Sequence, residues 1–131
     1  MEAVAPRGEE LAEIRILVAL EDDYRAYREV IAASILMLRP HVEVATSGLD
    51  VLEEEMARLD PHVMICSLPA TVGPGDRVAW VKLSLDPTWP TVICVGGRYS
   101  EVRNPIFETL LGVIDEVERL VAGEENSTKD C

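Results

Sequence analysis

The stretch I-R-I-L-V-A-L-E-D-D, residues 14–23, decides the fold class. Residues 14–20 form an apolar run that only Arg15 interrupts, which is typical of a strand buried on both faces of a parallel sheet. The run ends in three consecutive acids, Glu21, Asp22 and Asp23. Because open α/β sheets carry their sites beyond the carboxyl ends of the strands, these acids lie where a functional site is expected.

Strands and helices are predicted to alternate along the rest of the chain. Further strands are predicted at residues 42–46, 63–66 and 91–95. Helices are predicted at residues 24–38, 49–59, 76–85 and 110–121, and the first places Tyr27, Ile31, Ile35 and Leu38 at helical spacing. Such alternation predicts a parallel sheet with right-handed crossovers. We expect one domain over residues 13–123, with a tail at 1–12 and a polar, disordered tail at 124–131.

The charge balance argues against nucleic-acid binding. Asp and Glu number 24 against 12 Lys and Arg, a net charge of −12, whereas binding to phosphates depends on lysine and arginine. No apolar run approaches the ~20 residues that a membrane span needs, and residues 1–10 lack the apolar core of an export signal. Cys66 and Cys94 stand in apolar runs as small buried hydrophobes, and an odd cysteine count fits a reducing compartment. We therefore expect a cytoplasmic protein with no membrane contact.

Four segments resemble the receiver domain of two-component response regulators. Residues 14–23 resemble its first strand and acidic turn, and V-E-V-A-T-S-G-L-D-V-L-E resembles its second strand and second helix. D-P-H-V-M-I-C-S-L-P resembles its third strand and the loop after it, and V-R-N-P-I-F-E-T-L-L resembles its fifth strand, Lys-Pro turn and last helix. The resemblance implies a flavodoxin-like three-layer sandwich with a five-stranded parallel sheet in the order 2-1-3-4-5. It also implies that the first and last helices share one face.

The residues that carry phosphoryl transfer in receivers are replaced in this chain. Ser67 stands at the position of the acceptor aspartate, Gly96 at that of the Thr or Ser that binds a phosphoryl oxygen, and Asn104 at that of the phosphate-pairing lysine. Without these groups we expect a degenerate site with no catalytic residue and no enzyme activity.

The acidic turn is retained, and receivers use a carboxylate pair there to hold Mg²⁺. Glu21 and Asp22 match that pair, or Asp22 and Asp23 do if the alignment shifts by one. Because Ser67 supplies no further carboxylate, the resemblance implies at most weak Mg²⁺ binding at Glu21 and Asp22. We expect no functional metal or other cofactor.

A deletion also separates this chain from the family. Only residues 96–100 lie between the predicted fourth and fifth strands, so the fourth helix is missing or shortened. Its loss is expected to uncover apolar side chains of these strands. Either the third helix swings over to cover them, or a second copy of the chain covers them in a homodimer. The candidate interface comprises Val92, Val95, Val102, Arg103 and Pro105.

Two functions remain open from the sequence. The first is a stand-alone receiver-like domain in signal transduction that is not phosphorylated and acts as a protein–protein interaction or dimerisation module. Its partners would be a second copy and an unidentified signalling protein. The alternative is a small-ligand or nucleotide-binding flavodoxin-like domain, with an anion held by the backbone amides of Gly96 and Gly97.

Overall fold

The computed structural model describes residues 14–67, 78–84, 86, 88–103, 105 and 107–122. The predicted tails and Asn104 lie outside these ranges. The described strands are β1 Arg15–Ala19, β2 Glu43–Ser47, β3 Val63–Ser67, β4 Ala79–Leu83, β5 Thr91–Val95 and β6 Arg98–Val102. The described helices are α1 Arg25–Leu38, α2 Leu52–Leu59 and α3 Phe107–Ala122. Two short 3-10 turns, Asp22–Tyr24 and Leu49–Val51, lead directly into α1 and α2.

The six described strands form one mixed sheet in the order β2-β1-β3-β4-β5-β6. Strands β1 to β4 are parallel to one another, whereas β5 is antiparallel to both β4 and β6. The predicted five-stranded, all-parallel flavodoxin-like sheet is therefore wrong. The first three predicted strands do pair in parallel in the order 2-1-3. The strand at 91–95 and the last helix also form, and the error lies in the pairing and direction of the strands after β3.

The first difference is a strand at residues 79–83, where a helix was predicted. These residues alternate in burial, with Ala79, Val81 and Leu83 buried against one face. Trp80 and Lys82 point to the other face, where the Lys82 ammonium lies 5.4 Å from the centre of the Trp80 ring. A period of two residues is the pattern of a strand, so the alternation outweighs a helical interpretation. Residues 76, 77 and 85 of the predicted helix lie outside the described ranges.

The second difference is the direction of β5. Residues 84–90 join β4 to β5, and this connection is too short for the crossover that a parallel partner requires. Thr91 closes the connection, because its hydroxyl oxygen accepts a hydrogen bond of 2.9 Å from the Ser84 backbone N–H. The chain therefore turns back, and β5 pairs antiparallel with β4.

A second hairpin follows at once, because Gly96 and Gly97 form a two-residue turn between β5 and β6. Their φ angles are +58° and +85°, the left-handed region that the favoured two-residue hairpin turns require. β6 is thus an edge strand of a hairpin, and the predicted Gly-Gly break is a tight turn.

Two apolar layers enclose the sheet. On one face α1 and α3 pack against β1, β3, β4 and β5, and this larger cluster includes Ile16, Ile65, Ile93 and Ile114. On the other face α2 packs over β1 and β3 through Leu52, Met56 and Leu59. The first and last helices therefore share a face, as predicted.

Candidate functional site

The candidate site lies at the carboxyl ends of β1, β2 and β3. The Ser67 side chain is fully buried at the end of β3, and its hydroxyl oxygen accepts a long hydrogen bond of 3.4 Å from the Glu21 backbone N–H. Asp22 and Asp23 begin the 3-10 turn that leads into α1, and both are exposed. The structure thus brings the acidic turn and Ser67 together at one edge of the sheet.

Arg28 is the main residue of this site that the sequence analysis missed. It lies on α1 and is only 7% exposed. Its Nη1 donates hydrogen bonds of 3.0 Å to the carbonyl oxygens of Leu20 and of Ser47, which follow β1 and end β2. The same Nη1 lies 3.7 Å from Asp22 Oδ1. The sequence feature that could have revealed it is spacing. Arg28 stands three residues before Ile31 and seven before Ile35, which places it on the same buried face of the helix.

Gly48 closes the same edge beside Arg28. A Cβ atom added at Gly48 would lie 2.8 Å from Asp50 Oδ1 and 3.3 Å from Asp22 Oδ1. The turns after β1 and β2 therefore approach each other closely, with the Arg28 guanidinium beside both. A buried cation with two strand-end carbonyls as acceptors makes this a rigid structural clamp.

Gly96 does not belong to this site. Because β5 is antiparallel to β4, Val95 at the end of β5 pairs with Ala79 at the start of β4. Gly96 therefore lies at the opposite end of the sheet from the acidic turn. Its backbone N–H donates a hydrogen bond of 2.9 Å to the Val78 carbonyl oxygen, so this amide is not free to hold an anion. The predicted grouping of Gly96 with Ser67 is wrong.

The side chains at this edge are poorly suited to Mg²⁺. Among the described residues, no three His, Cys, Asp or Glu side chains converge as a metal-ligand group. The guanidinium of Arg28 lies 3.7 Å from Asp22 Oδ1 and supplies positive charge beside the acidic turn.

Among the described residues, Cys66 and Cys94 provide no reactive thiol. Cys66 is fully buried, and burial raises the pKa of its thiol to about 11, which keeps it protonated and unreactive at neutral pH. Cys94 is also buried, but it is disulfide-bonded.

The candidate interface residues do not form one exposed patch. Val95 and Val102 face α3, where Val95 is buried and Val102 is half-buried. Val92 is half-buried and points to the opposite face of the sheet, where it pairs with Lys82 and Glu101. Arg103 is exposed, and Pro105 is half-buried. The last helix, α3, packs on the face of β5 that carries Ile93 and Val95, so this side of the candidate interface is not free for a second copy.

Among the described residues, most of the exposed large apolar side chains lie on α1, and Trp89 and Tyr99 are exposed elsewhere. Met37 is 76% exposed, Val30 is 58% exposed and Tyr27 is 49% exposed. Tyr27 and Leu38, which stand at helical spacing with the buried Ile31 and Ile35, lie outside the core. A cavity of about 220 Å³ between α1 and the start of α3 borders this surface. It is lined mainly by apolar side chains, including Tyr27, Val30, Leu83, Pro105 and Phe107.

Comparison with known proteins yields no relative for this chain. It matches no protein-family model, no curated protein and no solved structure. Within the described ranges, no helix is long and apolar enough to cross a membrane. Conclusions about function therefore depend on the chain's own geometry.

Proposed function

We propose that this chain is a receiver-like signalling domain that takes no phosphoryl group and acts by binding other protein surfaces. The observation that carries the proposal is the outward face of α1. From Val30 to Leu38 this helix has no charged residue, although charged residues make up 27% of the chain. An exposed helix face of this composition is typical of a protein–protein contact.

The acidic edge of the sheet supports a role without phosphorylation. Ser67 is buried where a receiver places its acceptor carboxylate, and a serine hydroxyl without a neighbouring base is a poor nucleophile. The Arg28 clamp also engages the strand-end carbonyls of this edge. A pocket for a small anionic ligand is not favoured, since the Gly96 amide is already hydrogen-bonded.

The class of partner follows from charge. A net charge of −12 disfavours nucleic acids, whereas the uncharged face of α1 favours an apolar protein surface. We further propose that the domain works in the cytoplasm, where signalling proteins of the receiver type act.

The phosphorylation part of the proposal is tested with acetyl phosphate and Mg²⁺. The intact mass of the chain is expected to stay unchanged after incubation, and Ser67→Asp alone is expected to give little phosphorylation. A stoichiometric phosphate adduct on the wild-type chain would contradict the proposal.

The binding part is tested by quantitative affinity capture from the native cell. Ala33→Glu places a charge on the outward face of α1, whereas Ala57→Glu places the same charge on the exposed face of α2. We expect Ala33→Glu to abolish the capture of specific partners and Ala57→Glu to preserve this capture. Untagged copies of the chain itself count as partners. Equal capture by both variants would show that α1 is not the binding surface.

A further inference from the structure

The outer stripe of α1 consists of Ala26, Val30, Ala33 and Met37. All four residues are exposed, and their spacing of four, three and four residues aligns them along one line of the helix. This line lies opposite the inner face, where Arg28, Ala32 and Ile35 are buried. The outer stripe is the seam that a second helix would contact.

Charge makes the outer stripe the favoured place for two copies of this chain to meet. With a net charge of −12 on each copy, most orientations bring like charges together and are repulsive. The outer stripe contains no charge. Its flanks carry one residue of each sign, Arg25 and Glu29, both exposed.

We propose, building on the binding role of α1, that the domain forms a two-fold symmetric homodimer in which the α1 helices of two copies pack antiparallel. A two-fold axis between Val30 and Ala33 places Ala26 opposite Met37 of the partner subunit. It also places Val30 opposite Ala33 of the partner subunit. Each large side chain then faces an alanine, which is the alternation that close helix packing needs.

The flanks of the outer stripe fit the same register. Leu36 is placed between Arg25 and Glu29 of the partner subunit, so it packs on their aliphatic stems. On the other flank, Tyr27 is placed beside Ser34 of the partner subunit.

A parallel pair of helices would be less favourable. Each residue would then face the same residue of the partner subunit, so that the two Met37 side chains would crowd each other, the two Ala26 side chains would leave a gap and the two Glu29 carboxylates would lie close together. A parallel pair would also align the two helix dipoles unfavourably.

Sedimentation equilibrium of the full chain across the micromolar range tests the dimer. The expected mass is twice the monomer mass of 14.5 kDa. Ala33→Glu buries an unpaired charge at the axis and is expected to weaken dimerisation by about 100-fold or more. Ala57→Glu adds the same charge on α2 and is expected to leave the dimer intact. A monomeric wild-type chain, or a dimer that Ala33→Glu does not weaken, would overturn the proposal.

Single cysteine variants test the register under oxidising conditions, with the wild-type chain as background. From a helix rise of 1.5 Å per residue, the two copies of residue 33 are separated by about 4–5 Å along the helices, and the two copies of residue 26 by about 16 Å. Since a disulfide spans Cα atoms no more than about 7 Å apart, Ala33→Cys is expected to cross-link and Ala26→Cys is not. Cross-linking by both variants indicates a parallel pair, and cross-linking by neither indicates another surface. Either result overturns the antiparallel dimer.

The dimer and the broader binding role fail in different ways. If the chain is monomeric but Ala33→Glu alone abolishes capture from the cell, α1 binds a different protein or segment and the dimer is wrong. If Ala33→Glu changes neither the mass nor the capture, both proposals are wrong.

Discussion

The Nη1 atom of Arg28 lies 3.0 Å from the carbonyl oxygen of Ser47, to which it donates a hydrogen bond across 19 positions of sequence. The same nitrogen reaches the Leu20 carbonyl oxygen at 3.0 Å. One side chain from α1 therefore joins the ends of β1 and β2. Binding and catalytic sites of open α/β sheets usually lie at this edge. In this chain the buried Arg28 guanidinium stabilises the edge by hydrogen bonds.

Arg28→Ala is expected to destabilise the fold strongly. The substitution leaves two strand-end carbonyl oxygens without their donor and removes the charge beside Asp22, at a cost of about 2–4 kcal/mol in the free energy of unfolding. This change in the free energy of unfolding is measured by urea denaturation, with circular dichroism as the readout. Arg25→Ala, on the exposed side of the same helix, is the control and should change stability by no more than about 0.5 kcal/mol. A loss for Arg28→Ala as small as the control's would show that the clamp is not structural.

Two glycines should respond in opposite directions to alanine. Gly97 has a φ of +85°, so Gly97→Ala is expected to cost about 1–2 kcal/mol in unfolding free energy. Gly112 lies within α3, is exposed, and has no atom within 4 Å of an added Cβ. Gly112→Ala is therefore expected to stabilise the domain by up to about 1 kcal/mol. Thermal melts of the two variants check this, and a stabilising Gly97→Ala would argue against the hairpin turn.

Asp115 links α3 to the end of α1 and should make stability depend on pH. Arg39 donates two hydrogen bonds of 2.8 Å to the Asp115 carboxylate, and these hold the Asp115 pKa below its usual value. The stabilisation is therefore present above the unfolded-state pKa, about 4, and is lost as the pH falls through the lowered folded-state pKa.

Asp115→Asn tests this link. Because both side chains are partly exposed, the variant is expected to lose only about 0.3–1 kcal/mol at pH 7. Urea midpoints measured between pH 7 and pH 3 should show the difference from wild type shrinking with acid. A difference that stays constant over this range would assign the effect to packing rather than to charge.

Cys66 should react only when the chain unfolds. Its pKa of about 11 lies above that of a free thiol, so the native state holds its proton more tightly than the unfolded state. This contribution to stability is present below the unfolded-state pKa and is lost as the pH rises through the folded-state value. Iodoacetamide at pH 8, with mass mapping of the modified peptide, should leave Cys66 unmodified in buffer and alkylate it fully in urea. Rapid alkylation in buffer would contradict the burial.

The sequence by itself determined the first half of the fold. The apolar run before Glu21, the helical stripe through Ile31 and Ile35, and the buried strand before Ser67 are local patterns, and each forms the predicted element. Two parallel strands need a crossover, and helical segments of sufficient length separate these strands. The parallel pairing and the meeting of the acidic turn with Ser67 could thus be predicted, whereas the order 2-1-3 was implied by the resemblance to receivers.

Only the tertiary structure decided how the strands after β3 pair and which surface of α1 is exposed. A five-residue segment such as Ala79–Leu83 is too short for periodicity alone to separate strand from helix, and its pairing with β3 and β5 settles the matter. The direction of β5 depended on the length of the connection before it. In α1 the apolar residues surround most of the helix, so the sequence left open which side enters the core. The position of the sheet determines this orientation of α1. As a result Ile31 and Arg28 are buried, whereas Val30 and Met37 are exposed to solvent.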